Sequence, residues 1–203
     1  MLIFVLGGVK CGKSMLSQCS AKYLHERREK GKMYYVATMI PYDDEDRKRI
    51  DRHLIDRKGW GFDTIEESSF FPNIEEKITG DDVLLIDSMT AYVQNIMFGD
   101  DDIVNDIRME DIGNHVKRLS DIAGDVVVVS DYVFSDAIEY ENLTERYREW
   151  LGRVHIDIAD NADVVIECAY SNPKIIKCAE GFDLAPIFSH FKTLDNHLTY
   201  ADI

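Results

Sequence analysis

Eight residues near the start of the chain limit the folds open to it more than any other stretch. They are Gly7, Gly8, Val9, Lys10, Cys11, Gly12, Lys13 and Ser14, in the spacing G-x-x-x-x-G-K-S. An apolar run precedes them and a helical pattern follows, as a phosphate-binding loop between a buried strand and a helix requires. Glycines let backbone N–H groups turn toward phosphate oxygens, and the helix N-terminus adds positive potential. We therefore predict that this P-loop binds a nucleoside triphosphate.

Within this loop, the two residues that follow the second glycine have the most specific expected roles. Lys13 would contact the β- and γ-phosphates, and the Ser14 hydroxyl would bind Mg²⁺. The alternative is a glycine-rich turn that matches the pattern by chance. The strand before it and the helix after it argue against that alternative.

Length and charge exclude several classes of protein. The chain has 203 residues, which is enough for one core, and we expect a single domain over residues 1–203. No apolar run approaches the roughly 20 residues that a membrane-spanning helix needs. The net charge of −15 argues against nucleic acid as a partner. The four cysteines contain no C-x-x-C pair, so we predict free thiols and a cytoplasmic protein.

Apolar segments alternate with helical patterns along the chain. This alternation predicts an α/β fold, a mainly parallel sheet with helices on both faces. Ligands of such sheets bind at the carboxyl ends of the strands. Residues 173–203 contain Pro173 and Pro186 and are mixed in polarity, so we predict a C-terminal extension that is either an irregular tail or a partner-facing segment.

One predicted strand ends in a carboxylate. The run from Val83 to Ile86 is continuously apolar and is followed by Asp87, the pattern of the metal-side strand in P-loop enzymes. Asp87 would bind Mg²⁺ through water or orient the attacking group, and the alternative is an aspartate that caps the next helix. Thr38, at the end of the second strand, would lie at the same edge of the sheet.

A predicted helix with an acidic start carries a row of cationic side chains. Arg49, His53 and Arg57 are spaced i, i+4 and i+8, which places them on one face. A surface histidine on a charged helix is the simpler interpretation of His53. A neutral imidazole is also a nucleophile, and two neighbouring arginines would attract a triphosphate.

The order of these motifs is similar to that of a known family. The similarity rests on the P-loop, on Tyr35-Val36-Ala37-Thr38, on Arg49-Ile50-x-x-His53-x-x-x-Arg57, on Phe62-x-Thr64-x-Glu66, on Leu84-Leu85-Ile86-Asp87-Ser88-Met89-Thr90 with Asn95, and on Tyr147-Arg148-x-x-x-Gly152-Arg153-Val154. Over about residues 1–170 the chain resembles the bifunctional adenosylcobinamide kinase / adenosylcobinamide-phosphate guanylyltransferase family.

The resemblance implies an activity in cobalamin biosynthesis. The enzyme would phosphorylate adenosylcobinamide with ATP or GTP and then transfer GMP from GTP to the phosphate through a guanylylated histidine. His53 would be that nucleophile, with Lys13 and Asp87 completing the catalytic residues. Thr38, Arg49, Arg57 and Glu66 would join the P-loop in binding nucleotide, while Ser14 and Asp87 would hold Mg²⁺. A RecA-like P-loop fold and a homotrimer are also implied.

The chain departs from the family pattern at Lys58, where relatives have a proline, at Phe62, where they have a tryptophan, and more extensively in one segment near the expected site. Relatives continue the fifth strand with S-N-E-V-G-x-G-I-V-P, whereas residues 130–139 here are S-D-Y-V-F-S-D-A-I-E. Two alternatives therefore stay open beside the bifunctional enzyme. One is a diverged P-loop kinase for another small molecule, and the other is a non-catalytic nucleotide-binding relative that has lost guanylyltransferase activity.

Overall fold

A seven-stranded sheet forms the centre of the molecule. The computed structural model describes residues 1–69, 71–99, 109–134 and 138–195. The strands are β1 (Leu2–Gly7), β2 (Met33–Ala37), β3 (Asp63–Glu66), β4 (Val83–Asp87), β5 (Asp125–Asp131), β6 (Val164–Ala169) and β7 (Asn172–Cys178). Their order in the sheet is β3-β2-β4-β5-β1-β6-β7, and only the β6–β7 pair is antiparallel.

Helices cover both faces of this sheet. They are α1 (Lys13–Glu26), α2 (Asp44–Asp56), α3 (Pro72–Glu75), α4 (Met89–Phe98), α5 (Met109–Ile122), α6 (Asn142–Asn161) and α7 (Ala185–Asp195). Alternate residues of β1 enter different clusters: Leu2 and Phe4 pack with α4, α5 and α6, whereas Ile3 and Val5 pack with α1 and α7. Burial on both faces explains why the central strands are continuously apolar. The predicted fold class is confirmed.

The C-terminal part of the chain differs from the prediction of an irregular tail. Residues 172–178 form β7 and residues 185–195 form α7, while residues 196–203 lie outside the described part of the chain. The two prolines that suggested irregularity occupy positions that tolerate them. Pro173 lies near the start of an edge strand, and Pro186 is the second residue of α7, where a backbone N–H has no helical partner.

The structure also bears on the expected absence of a membrane-spanning helix and on the divergent segment 130–139. No helix among the described residues is both long and apolar enough to cross a membrane. In the divergent segment 130–139, residues 135–137 lie outside the described residues.

Candidate active site at the carboxyl edge of the sheet

The P-loop connects β1 to α1, as predicted, and two of its glycines are required by close contacts. Gly12 caps α1 with φ of 91°, in the left-handed region. A Cβ atom on Gly12 would lie 3.1 Å from Ser171 Oγ and 3.2 Å from Phe191 Cζ. A Cβ atom on Gly7 would lie 2.5 Å from the Cys168 carbonyl oxygen. The loop is therefore packed tightly against β6, the β6–β7 turn and α7.

Lys13 is buried at the end of this loop. Its Nζ donates a hydrogen bond to the Gly8 carbonyl at 3.1 Å and forms an ion pair with Asp131 at 2.5 Å. Asp131 is the last residue of β5, beside β1 in the sheet. Sequence reasoning missed Asp131, although the pattern that identified Asp87, an apolar strand ending in a carboxylate, is repeated there.

A cavity of about 590 Å³ lies at the carboxyl ends of β2, β3 and β4, under α2. This volume is in the range of small-molecule sites. Five of the predicted site residues contribute to its walls: Arg49, His53, Arg57, Glu66 and Asp87. Asp131 also lines it, so the cavity reaches the carboxylate that holds Lys13.

Helix α2 presents the predicted cationic row to the cavity. The Asp43 side chain caps the helix by accepting hydrogen bonds from the backbone N–H groups of Glu45 and Asp46. No residue of α2 is buried. Arg49, His53 and Arg57 all line the cavity, which agrees with their predicted common face. The N-terminal cap and contacts along the cavity therefore stabilise α2 more than packing in the core does.

Tyr35 links the cationic row to Asp87. The Arg57 guanidinium carbon lies 3.7 Å from the centroid of the Tyr35 ring, a cation–π contact. The Tyr35 hydroxyl donates a hydrogen bond to Asp87 Oδ2 at 2.7 Å. Burial raises the pKa of Tyr35 well above its ordinary value, so this hydroxyl stays a donor. The sequence placed Tyr35 in the second strand and in the motif Tyr35-Val36-Ala37-Thr38, but it gave no signal of the contacts with Arg57 and Asp87.

Thr38 occupies a different environment from the other predicted nucleotide contacts. It is fully buried, and its hydroxyl donates to the Ser88 carbonyl and accepts from the Ser88 N–H, each at 2.8 Å. Asn95 Nδ2 donates to the Thr38 carbonyl at 2.7 Å. Thr38 does not line the cavity. Its contacts join the ends of β2 and β4, which supports a positioning role.

A row of buried, hydrogen-bonded polar side chains extends behind Asp131. His155 Nε2 lies 2.7 Å from Ser130 Oγ, which lies 3.0 Å from Thr90 Oγ1. Thr90 Oγ1 in turn accepts a hydrogen bond from the Asp131 N–H at 2.9 Å. Burial lowers the pKa of His155 to about 4, so its ring is neutral at pH 7. These hydrogen bonds hold the backbone of Asp131 at the edge of the cavity.

Cys11 is the unusual member of the P-loop. A hydrogen bond with the Cys168 side chain, with further help from Lys13, lowers the pKa of the Cys11 thiol to about 6 despite its burial. Cys168 Sγ also lies 3.0 Å from the Cys11 carbonyl oxygen. All four cysteines are free thiols, as predicted.

The oxygen atoms present suit Mg²⁺ only together with a nucleotide. Within the described residues, no group of three or more His, Cys, Asp or Glu side chains is arranged to hold a metal ion. Mg²⁺ in phosphate-transfer sites typically uses one or two protein ligands, with substrate phosphates and water supplying the rest. The Ser14 hydroxyl and the Asp87 carboxylate fit that donor set, and Asp87 lies on the cavity wall.

Comparison with known proteins identifies a family that the chain matches. The sequence model of a family described as cobinamide kinase / cobinamide phosphate guanyltransferase matches residues 3–173. A search of curated proteins finds no significant match. The matched range includes the P-loop, α2, β4 and β5, whereas nearly all of β7 and all of α7 follow it.

Proposed function

Because the chain belongs to the cobinamide kinase / cobinamide phosphate guanyltransferase family, we propose that it catalyses both reactions in that name. In the first, the γ-phosphoryl group of ATP or GTP passes to the aminopropanol hydroxyl of adenosylcobinamide. In the second, GMP passes from GTP to the new phosphate. The family itself supports transferase action on cobinamide in cobalamin biosynthesis, and the residue roles below are our proposal.

The kinase reaction would use the P-loop. Backbone N–H groups of residues 7–14 would hold the β-phosphate, and Lys13 would exchange its Asp131 partner for phosphate oxygens. The cobinamide hydroxyl would then attack the γ-phosphorus while the bond to the β-phosphate oxygen breaks. Mg²⁺, held by Ser14 and Asp87 with the phosphates, would supply charge neutralisation when bound. Asp131 lines the cavity and pairs with Lys13, and it would orient or deprotonate the hydroxyl.

The guanylyltransferase reaction would use α2. A neutral His53 nitrogen would attack the α-phosphorus of GTP, and pyrophosphate would leave as the P–O bond breaks. The cobinamide phosphate oxygen would then attack the same phosphorus and release the imidazole. Arg49 and Arg57 lie one helical turn on either side of His53 and would offset the charge on the transferred group.

One observation carries this proposal: residues that we assign to the two reactions line a single cavity. Asp131, which forms the ion pair with Lys13, and His53, which lies on α2, both line this cavity. A corrinoid side chain bound there would meet the γ-phosphate from one side and the guanylylated histidine from the other.

The experiment that tests the proposal is intact-mass analysis after incubation with Mg²⁺ and GTP. We expect an acid-labile GMP adduct on the wild type and none on His53→Ala. Arg52→Ala is the matched control, because Arg52 is exposed on the same helix but does not line the cavity, and its adduct should form normally. Absence of an adduct on a wild-type protein that binds GTP would refute the guanylyltransferase half.

The divergent segment after β5 favours a second candidate, a kinase that has lost guanylyl transfer. Segment 130–139 has other residues at the positions where the family pattern has its two glycines, its glutamate and its proline. In that case, cobinamide phosphate would form from ATP, and no GDP-cobinamide would follow. Chromatography of the corrinoid products distinguishes the two outcomes, and absence of any corrinoid product with nucleotide bound would favour the non-catalytic alternative.

We also propose that the protein is a homotrimer that acts in the cytoplasm. The apolar side chains Leu54 and Ile55 of α2 are 49% and 71% exposed, and no residue of this helix is buried within the chain. Contact with a second copy would cover them. Light scattering should give about three times the 23.4 kDa mass of one chain, and a monomer mass would refute the trimer.

A further inference from the structure

The two-residue turn between β6 and β7 exposes a large aromatic side chain. Ala169 pairs with Asn172, and the intervening Tyr170 and Ser171 have φ of 50° and 57°. Asn172 Nδ2 closes the turn by donating to the Tyr170 carbonyl at 2.7 Å. Positive φ is unfavourable for a bulky residue, and glycine or asparagine is usual in such turns. Tyr170 nevertheless occupies this position, with 93% of its surface exposed.

The turn is attached directly to the P-loop. The Ser171 N–H donates a hydrogen bond to the Cys11 carbonyl at 2.9 Å. Ser171 Oγ lies close enough to Gly12 that a Cβ atom there would be 3.1 Å away. Cys168, just before the turn, also contacts the Cys11 carbonyl through its sulfur. Tyr170 is therefore held at the rim of the phosphate-binding loop.

The sheet order indicates which end of a triphosphate faces this turn. Strand β1 lies between β5 and β6. The ion pair of Lys13 with Asp131, and the cavity that Asp131 lines, are on the β5 side. Since Lys13 binds the β- and γ-phosphates in P-loops, the γ-phosphate points toward β5. The α-phosphate and the nucleoside then extend toward β6 and its following turn.

We propose that the ring of Tyr170 stacks on the base of the nucleoside triphosphate that the P-loop holds. The inference rests on the proposed phosphate-binding role of the P-loop and adds the nucleoside contact to it. Tyr170 does not line the cavity under α2, so this nucleoside position is separate from the one that His53 faces. Stacking on an aromatic ring tolerates every base, so ATP and GTP are bound alike.

The test measures binding to the P-loop with three probes: the non-hydrolysable analogues AMP-PNP and GMP-PNP, and inorganic tripolyphosphate, each with Mg²⁺. Calorimetry is performed in a His53→Ala background to remove the second nucleotide reaction, and only binding that Lys13→Ala abolishes is counted. Tyr170→Asn is the main variant, because asparagine suits the positive φ and removes the ring. Tyr170→Phe retains the ring and is the matched control.

We expect Tyr170→Asn to weaken both analogues about tenfold, in the range measured for aromatic–base stacking, and to leave tripolyphosphate affinity unchanged. Tyr170→Phe should bind all three probes as the parent does. The melting temperature of Tyr170→Asn should be equal to or above that of the parent, which separates lost stacking from lost structure.

Two results overturn the inference while the proposed function stands. One is unchanged analogue affinity in Tyr170→Asn, which would place the base elsewhere. The other is an equal loss for tripolyphosphate, which would mean that the residue supports the loop and not the base. If the parent protein binds none of the three probes in a Lys13-dependent way, the phosphate-binding role fails and the inference fails with it.

Discussion

At the scale of single residues, the ion pair of Lys13 with Asp131 is central to the site. Both side chains are largely buried, with 11% and 13% of their surfaces exposed. Separating a buried pair leaves an uncompensated charge, which costs far more than separating a surface pair. A triphosphate that binds Lys13 must therefore replace Asp131 as its partner. The carboxylate would then stabilise the loop and compete with the ligand at the same time.

Replacing Asp131 with asparagine should separate these two effects. We expect Asp131→Asn to lower the free energy of unfolding by about 3–5 kcal/mol, because Lys13 loses its partner. Mg-ATP should raise the melting temperature of this variant more than that of the wild type, because no carboxylate competes with the phosphates. Asp121→Asn, which removes an exposed pair with Lys117, is the control and should change little. A smaller ligand-induced shift in Asp131→Asn would contradict the competition.

His155 should give the protein a specific sensitivity to acid. Its pKa is about 4 in the folded protein, against about 6.5 for an unfolded histidine. Between these values the unfolded chain binds the additional proton, so stability falls as pH falls. Linkage predicts a loss of about 2 kcal/mol between pH 7.5 and pH 5. Denaturant titrations of the wild type and His155→Gln should differ by this amount over that interval, and parallel profiles would contradict the assignment.

At the scale of elements, α7 forms the back wall of the phosphate-binding loop. Phe191 is fully buried and lies against Gly12. The sequence did not predict this contact. Pro186 argued against a helix in this region, and no sequence pattern indicates that Phe191 packs against residues far earlier in the chain. The P-loop itself was predictable because its motif is local. The packing of α7 against the P-loop was not predictable, because it joins residues that are far apart in the sequence.

Shortening Phe191 should affect both stability and nucleotide binding. We expect Phe191→Ala to cost about 3–5 kcal/mol of folding free energy, as for other buried phenylalanines, and to weaken Mg-ATP binding because Gly12 loses its packing partner. Phe188→Ala, on the same helix but only half-buried, should cost less and leave the affinity unchanged. Equal affinity losses in the two variants, measured by calorimetry on folded protein, would argue against a specific role for the Phe191 contact.

Helix α2 depends on its cap to an unusual extent, because none of its residues is buried. Asp43→Ala removes the acceptor for two backbone N–H groups and should destabilise the helix by about 1 kcal/mol. Hydrogen exchange over residues 44–56 should accelerate, and the yield of the GMP adduct should fall. Tripolyphosphate affinity at the P-loop should be unchanged. Asp51→Ala, exposed in the middle of the helix, is the control, and a similar effect there would refute the role of the cap.

At the scale of the whole molecule, the sheet order determines which predicted residues meet. Apolar runs identified the parallel strands, and the motif spacing identified residues on α2 and β4 that line one cavity. Sequence patterns carry no information on strand order, so the place of β5 between β1 and β4 could not be inferred. That placement puts Asp131 beside both Lys13 and the cavity. Thr38 was correctly placed at the carboxyl edge, but its hydroxyl is occupied by Ser88.

The central position of β1 has a consequence for how the protein is made. This strand is synthesised before the other six described strands, yet its neighbours in the sheet are β5 and β6, and the wall behind its loop comes from α7. A nascent chain that has emerged only as far as β4 has the complete nucleotide motif but neither partner strand for β1. Chains arrested on the ribosome before β6 should therefore be sensitive to protease near residues 1–14, and ATP should not protect them. We therefore expect nucleotide binding to begin only after β5, β6 and α7 have been synthesised.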